Sequence, residues 1–380
     1  MPEPYYDDLF LPSERVNIAP EDWADSCVHK ECTIHQLSPY IGKLKSSISK
    51  PLIQTYSRPG DLIVDPFSGS GTIPLEASLL GRRVFAADIS VYSKVLTNAK
   101  LTIPSSFEKA VYEVEKILQK ASGMKSPDLR TIPSWVRAFY HPKTLKEILN
   151  FVSVCKNEQK DFYLGCLLGI LHHQRPGFLS YPSSHLVPYL RDKNFPRNKH
   201  PDLYSYRPLK PRLLAKIKRA YKRYPSDWKR EKYTFRQDAI QNLRFPNKMD
   251  CVITSPPYMN TLDYIRDNRL RLWFLQDGDD IDINDSLINK REGFENSIEV
   301  LAKNVNTKLI RGGHTVLVIG DKSNGKDNLP GYISTTFDQF APNLKLSEVI
   351  YDQIPDIRRS RRDCRGTKSE YVMVFKKVKG

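Results

Sequence analysis

The short apolar run Leu62-Ile63-Val64 passes directly into Asp65-Pro66-Phe67-Ser68-Gly69-Ser70-Gly71-Thr72. The stretch Ile73 to Leu80 then reads as a helix, which Gly81 stops. Strand, glycine-rich loop and helix in that order bring backbone close to a ligand at a helix N-terminus. They commit this part of the chain to a layered α/β arrangement.

Three ligand classes compete for such a loop. A phosphate-gripping P-loop ends in Gly-Lys-Ser/Thr, and no lysine stands here. A dinucleotide fingerprint wants a small third residue where Pro74 stands. The third reading puts Asp65 at the strand end facing an amine-bearing or cationic ligand, with Gly69 and Gly71 admitting a thioether-linked adenosine. S-adenosylmethionine has that chemistry and no pyrophosphate to grip. Downstream, Val84-Phe85-Ala86-Ala87 ends in Asp88, about twenty residues past the glycines, where a carboxylate takes both ribose hydroxyls. With Ser90 after it, Asp88 reads equally well as a helix cap.

A second strand, Cys251-Val252-Ile253, ends in Thr254-Ser255-Pro256-Pro257-Tyr258. Two consecutive prolines fix φ and supply no N–H, so their carbonyls turn to some other donor. The exocyclic amine of a nucleobase is one such donor, with Tyr258 placed to stack on the ring. A Pro-Pro turn also serves simply to end a strand.

Elsewhere, Phe162 to Leu171 is apolar nearly all round and reads as a buried helix, and Gly312-Gly313 precedes a continuous apolar strand, His314 to Ile319. Together, Asp-Pro-Phe-Ser-Gly-Ser-Gly-Thr and the later Thr-Ser-Pro-Pro-Tyr resemble the amino-methyltransferases of DNA, in particular the N4-cytosine type. The resemblance covers residues 35–100 and 233–320. It implies an α/β fold: a class I methyltransferase, Rossmann-like sheet with an antiparallel C-terminal edge strand, plus a mainly helical basic insertion. It implies S-adenosylmethionine held by Asp65, Phe67, Gly69, Gly71, Thr72 and Asp88, with Asp238 against the adenine. The block His35 to Lys43 is similar to the family's N-terminal element, which closes over the methionine end. Ser255, Pro256, Pro257 and Tyr258 correspond to the catalytic tetrapeptide. Serine in its first place is commoner among cytosine-N4 enzymes, aspartate or asparagine among adenine-N6 enzymes. The implied reaction takes a flipped cytosine, stacks it on Tyr258 and accepts its amine protons on Ser255 Oγ and the Pro256 carbonyl. Adenine N6 and RNA stay open as substrates, as does a nucleic-acid-binding module on an inactive core.

The implied divisions are 1–100 (N-terminal element and cofactor half), 101–232 (core helix and basic insertion) and 233–380 (catalytic half). A net charge of +16 over 380 residues is concentrated. Residues 191–232 hold fifteen Lys and Arg against four Asp and Glu, interleaved with Tyr204, Tyr206, Tyr221, Tyr224 and Trp228. So dense a run repels itself without a polyanion nearby, and nucleic acid is the natural partner; the resemblance implies double-stranded DNA. Expected phosphate contacts are Arg212, Lys216, Lys218, Arg219, Lys222 and Arg223, with Arg358, Arg359, Arg361 and Arg362 on a later loop. The position of the insertion matches that of a target-recognition domain in one class of these enzymes, and a cognate restriction endonuclease is the family's usual companion.

Six cysteines in a chain of this size imply a reducing, cytoplasmic setting without a disulfide framework. The start has no signal-peptide pattern, and no stretch approaches the ~18–20 apolar residues of a membrane span. Cys27, His29, Cys32 and His35 fall close together but fit no common structural zinc spacing, so no metal is expected.

Overall fold

The apolar runs become strands of one seven-stranded sheet: β1 (Leu62–Asp65), β2 (Arg83–Asp88), β3 (Tyr233–Gln237), β4 (Met249–Thr254), β5 (Leu309–Asp321), β6 (Leu344–Gln353) and β7 (Ser369–Lys377). Their spatial order is β3-β2-β1-β4-β5-β7-β6. β1 to β5 pair in parallel, and β7 runs antiparallel between β5 and β6. This is the mostly parallel, Rossmann-like sheet that the resemblance implied, with its C-terminal pair of strands antiparallel to each other. The computed structural model describes residues 18–24, 31–40, 42–173, 177–181, 188–257, 264–276, 291–321, 328–353 and 369–379. No helix among these is long and apolar enough to cross a membrane.

Consecutive strand residues point to opposite faces, and here both are buried: Ile63 with Val64, Val84 with Phe85, Cys251 with Val252, Val316 with Leu317. Continuous apolar strands of this kind require cover on both sides. Helices Arg291–Lys308 and Leu329–Phe340 cover one face, packing Ile298, Leu301 and Phe337 on Val252, Leu317 and Phe375. Helix Ser46–Tyr56 and Trp23 cover the other, against Ile63, Ile253 and Val316. The glycine pair expected to precede β5 lies inside it. Residues 310–313 stand opposite the single residue Asp250 of β4, and Gly312 takes φ +80° at that irregularity.

Between β2 and β3 the chain is helical, through Val91–Leu101, Phe107–Ser122, Pro142–Asn157, Asp161–Leu168 and Leu209–Ala220. The nearly all-apolar segment expected to be a buried helix is one: Phe162 to Leu168 are all buried. Its core is not separate from the rest. Leu145, Phe162, Leu167, Leu213 and Ile217 share one cluster with Leu37, Leu75, Val95 and Ala99, so the basic insertion is fused to the helix that follows β2.

β1 lies between β2 and β4, so chain connections leave it in opposite directions. The carboxyl ends of β1 and β4 therefore flank the topological switch point, where open α/β sheets leave a crevice.

Gly165 sets the approach of the insertion to this core. A Cβ there would lie 2.8 Å from both Ala99 Cβ and Leu37 Cδ2. Gly165→Val is expected to cost about 1–3 kcal/mol by overpacking, read as a lowered urea midpoint at unchanged slope. Gly177→Ala, with nothing within 4 Å of the added carbon, should leave the midpoint in place.

Candidate active site

β1 and β4 deliver their last residues to the same spot. Thr254 Oγ1 donates to Asp65 Oδ1 at 2.6 Å, and both side chains are buried. The Phe67 N–H adds a longer bond to the same oxygen, 3.3 Å. Asp65 Oδ2 is buried with no hydrogen-bond partner among the described residues. Burial pushes the Asp65 carboxyl up to about 7, against the pull of the Thr254 and Phe67 bonds. An unsatisfied buried carboxylate oxygen at a strand end favours a ligand that brings a donor or a positive charge.

The glycine loop wraps this end. Gly69 and Gly71 take φ of +48° and +72°, a region costly to residues with a side chain. A Cβ on Gly71 would fall 2.9 Å from Thr97 Cα, and one on Gly69 would touch the Tyr40 ring. The Gly69 N–H donates to Asp88 Oδ2 at 2.8 Å, and the Ser90 N–H to Asp88 Oδ1 at 2.9 Å. Asp88 thus ties the loop to β2, and with the Ser93 side chain also bonded to it the carboxylate still has acceptor capacity for a hydroxyl. Its carboxyl is raised, mainly by burial. The cap on helix Val91–Leu101 belongs to Ser90, whose Oγ accepts from the Tyr92 N–H. Thr72 Oγ1 meets Ser70 Oγ at 2.9 Å, and Phe67 is half-buried.

Asp238 is exposed beyond β3. Its N–H donates to the Asp88 carbonyl at 3.1 Å and its Oδ1 accepts from the Ala239 N–H, so it stands at the same rim as Asp88. Two neighbours are not among the expected site residues. Ile89, 53% exposed, presents an apolar side chain next to Asp88. Tyr40 lies beside Gly69 and stacks on Tyr92 at 5.8 Å, while the Tyr92 hydroxyl donates to the Pro39 carbonyl. An isoleucine between the strand-end aspartate and the capping serine is the available signal for the first. The second lies in the His35 to Lys43 block, which the resemblance already implies at the cofactor.

Ser255 follows Thr254 directly, so its Cα lies about 3.8 Å from that of the residue bonded to Asp65. Ser255 and Pro257 are half-buried and Pro256 is buried. Tyr258 lies outside the described residues, as do Arg358, Arg359, Arg361, Arg362, Cys27 and His29. His35 is buried, with Nε2 at 2.6 Å from Glu76 Oε1. Among the described residues no cluster of side chains has the makings of a metal site.

The basic helix divides. Lys218, Arg219 and Lys222 are exposed. Lys216, expected at a phosphate, is instead buried: its Nζ donates to the Gln36 carbonyl at 2.8 Å, and burial brings its amine down to about 8. Arg223 Nε donates to the Glu31 carbonyl at 2.7 Å and Arg212 Nη1 to the Pro208 carbonyl at 3.2 Å. The spacing Leu209, Leu213, Lys216, Ile217, Ala220 marks the inward face and already held the warning for Lys216.

Comparison with known proteins adds sequence relatives. Residues 17–98 match the DNA methylase family. Type II methyltransferase M.MjaII of Methanocaldococcus jannaschii is 32% identical over 85 residues, 21% of this chain and 16% of that protein. Type II methyltransferase M.BsoBI of Geobacillus stearothermophilus is 26% identical over 276 residues, 65% of this chain and 53% of that protein. The chain thus spans a sixth and about half of these two curated relatives. The crystal structure of TrmN from Thermus thermophilus is a loose match, with TM-score 0.35 and 13% identity over 89% of this chain and 50% of that one.

Because the Asp65 carboxyl is raised on folding, its contribution to stability is whole below about pH 4 and is lost as pH rises through about 7. Asp65→Asn cannot ionise, so its urea midpoint should fall less than that of the unaltered chain between pH 5 and 8. The raised Glu76 carboxyl is common to both chains and cancels. Parallel pH profiles would show that Asp65 does not titrate there.

Proposed function

We propose, for a chain whose residues 17–98 match the DNA methylase family, that it transfers a methyl group from S-adenosylmethionine to the exocyclic N4 of cytosine in double-stranded DNA. The observation that carries this reading is the Thr254–Asp65 bond, which sets Ser255-Pro256-Pro257 beside the glycine loop at the switch point.

S-adenosylmethionine supplies a methyl group on a positively charged sulfur. The residues of the chain do the rest. Asp65, with Oδ2 unsatisfied and buried, receives the amine-bearing end of the cofactor. Gly69 and Gly71 leave room for its body, with Tyr40 as a wall on one side. Asp88 takes the ribose hydroxyls on its remaining lone pairs, and Asp238 and Ile89 border the adenine.

The amine of cytosine is a weak nucleophile because its lone pair is delocalised into the ring. Ser255 Oγ and the Pro256 carbonyl accept its two N–H bonds and draw the nitrogen toward tetrahedral geometry. The lone pair then points at the methyl group, and alignment supplies much of the rate. The base reaches this site only out of the stack, at a cost of a few kcal/mol, which stacking on Tyr258 offsets by about 1–3 kcal/mol. The helical stretch within 101–232 acts as the target-recognising insertion, and Lys218, Arg219 and Lys222 hold phosphates.

The deciding test is transfer from labelled cofactor to mixed genomic DNA, followed by mass identification of the modified nucleoside. N4-methylcytosine is expected. N6-methyladenine would overturn the base, and label in RNA alone would overturn the nucleic acid. In the same assay Ser255→Ala should lower kcat at least a hundredfold while cofactor Kd changes little. Loss of both together would remove Ser255 from its role.

Reversing charge at Lys218, Arg219 and Lys222 should flatten the salt dependence of DNA binding, by about 0.9 in log–log slope for each phosphate no longer neutralised. A slope equal to that of the unaltered chain would place this face off the DNA.

A further inference from the structure

The helix Tyr264–Leu275, which follows the Ser255-Pro256-Pro257 segment, packs against both Val91–Leu101 and the insertion. Arg271 fastens it there, donating from Nε to the Leu168 carbonyl at 3.2 Å. Two residues earlier on the same helix, Arg269 does something different. It is exposed, and its guanidinium lies 4.3 Å over the ring of Trp135 in the insertion. It has no hydrogen-bond or ion-pair partner among the described residues. Arg191, Arg207 and Arg223 all spend donors on backbone carbonyls, and Arg230, also stacked on an indole, gives one to the Tyr224 hydroxyl.

Trp135 is itself held. It meets Phe139 edge-on at 6.4 Å, and the Phe139 carbonyl accepts from the Tyr181 N–H at 2.8 Å. The indole therefore restrains the Arg269 guanidinium from one side without using any of its N–H groups. Arg269 stands five residues beyond Tyr264, about 7.5 Å along the helix axis from the first residue of that helix.

We propose that Arg269, restrained by Trp135, is a specificity-determining residue that reads a guanine edge in the DNA flanking the target base. This rests on the DNA methyltransferase reading above. A phosphate asks only for positive charge, and Lys218 and Lys222 already offer that on flexible stems. A planar donor fork in one orientation suits the paired acceptors O6 and N7 of guanine. The stacked ring removes the rotamer freedom that a bidentate contact would otherwise have to freeze. Because the fork's helix begins seven residues after Pro257 in the chain, reading the flank and placing the target base become one docking event.

The test is methylation of a duplex library randomised around the target base, mapped at base resolution, with the full chain and its Arg269→Lys, Arg269→Ala and Trp135→Leu variants. The unaltered chain is expected to prefer guanine at one flanking position. Both Arg269 variants should lose that preference by about 5- to 150-fold, the discrimination one bidentate contact supplies. Trp135→Leu should weaken it in the same place. A library profile that Arg269→Ala leaves unchanged would overturn the proposal. Equal loss on every sequence, with a salt slope lower by about 0.9, would overturn it in favour of a phosphate contact. If the unaltered chain methylates no DNA, the methyltransferase reading falls and this inference with it. A methylating chain with an indifferent Arg269 sinks the inference alone.

Discussion

The hydrogen bond from Thr254 to Asp65 joins two segments 189 residues apart and holds the candidate site together. It is short, buried and made to a carboxyl that burial drives toward neutrality, so few groups could replace it. Parallel pairing of β1 with β4 brings the two strand ends level, and the hydroxyl then fixes the carboxyl's orientation. Asp65 keeps one oxygen unsatisfied, outside the sheet's own bonds. The glycine loop on one side and the Ser-Pro-Pro segment on the other take their relative position from this contact.

A second constraint lies behind the loop. His35 meets Glu76, Lys216 caps the Gln36 carbonyl, and Lys100 is buried with its amine unpartnered among the described residues. Burial brings the Glu76 carboxyl up and the Lys100 amine down, each to about 7. Breaking such an arrangement on one side leaves a desolvated polar group, which costs more than an exposed pair of the same kind returns. Three parts of the chain meet here: the segment before Tyr40, the helices after β1 and β2, and the basic insertion. The insertion is thereby held at a fixed angle to the site, and a rigid reader such as Arg269 depends on a rigid mount.

Legibility in the sequence followed the range of the signal. Strands β1, β2 and β4 were plain, because apolar runs bounded by Asp, Gly and Pro are local patterns. The buried helix Asp161–Leu168 was plain for the same reason. Gly69, Gly71, Asp65 and Asp88 could be grouped because two short segments contain all four. Charge was read less well. A count of basic residues cannot tell Lys218, which faces solvent, from Lys216, whose stem crosses the hydrophobic face and ends on a carbonyl. The apolar spacing around Lys216 held that information, and the charge count masked it. The role of Asp88 also resolved only in three dimensions: Ser90 does the capping, and the carboxyl ties loop to strand.

By itself the sequence determined the α/β class, the glycine loop between strand and helix, the order of the two motif-bearing segments, and the excess positive charge. All of these are set by neighbours within a dozen residues, by order along the chain or by composition. The tertiary structure alone decided that Thr254 would orient Asp65, that Tyr40 would lie beside Gly69, that Lys216 would turn inward, and that Arg269 would rest on Trp135. Each joins residues from segments far apart in the chain, and only the packing of the sheet and its helices sets the distance between them.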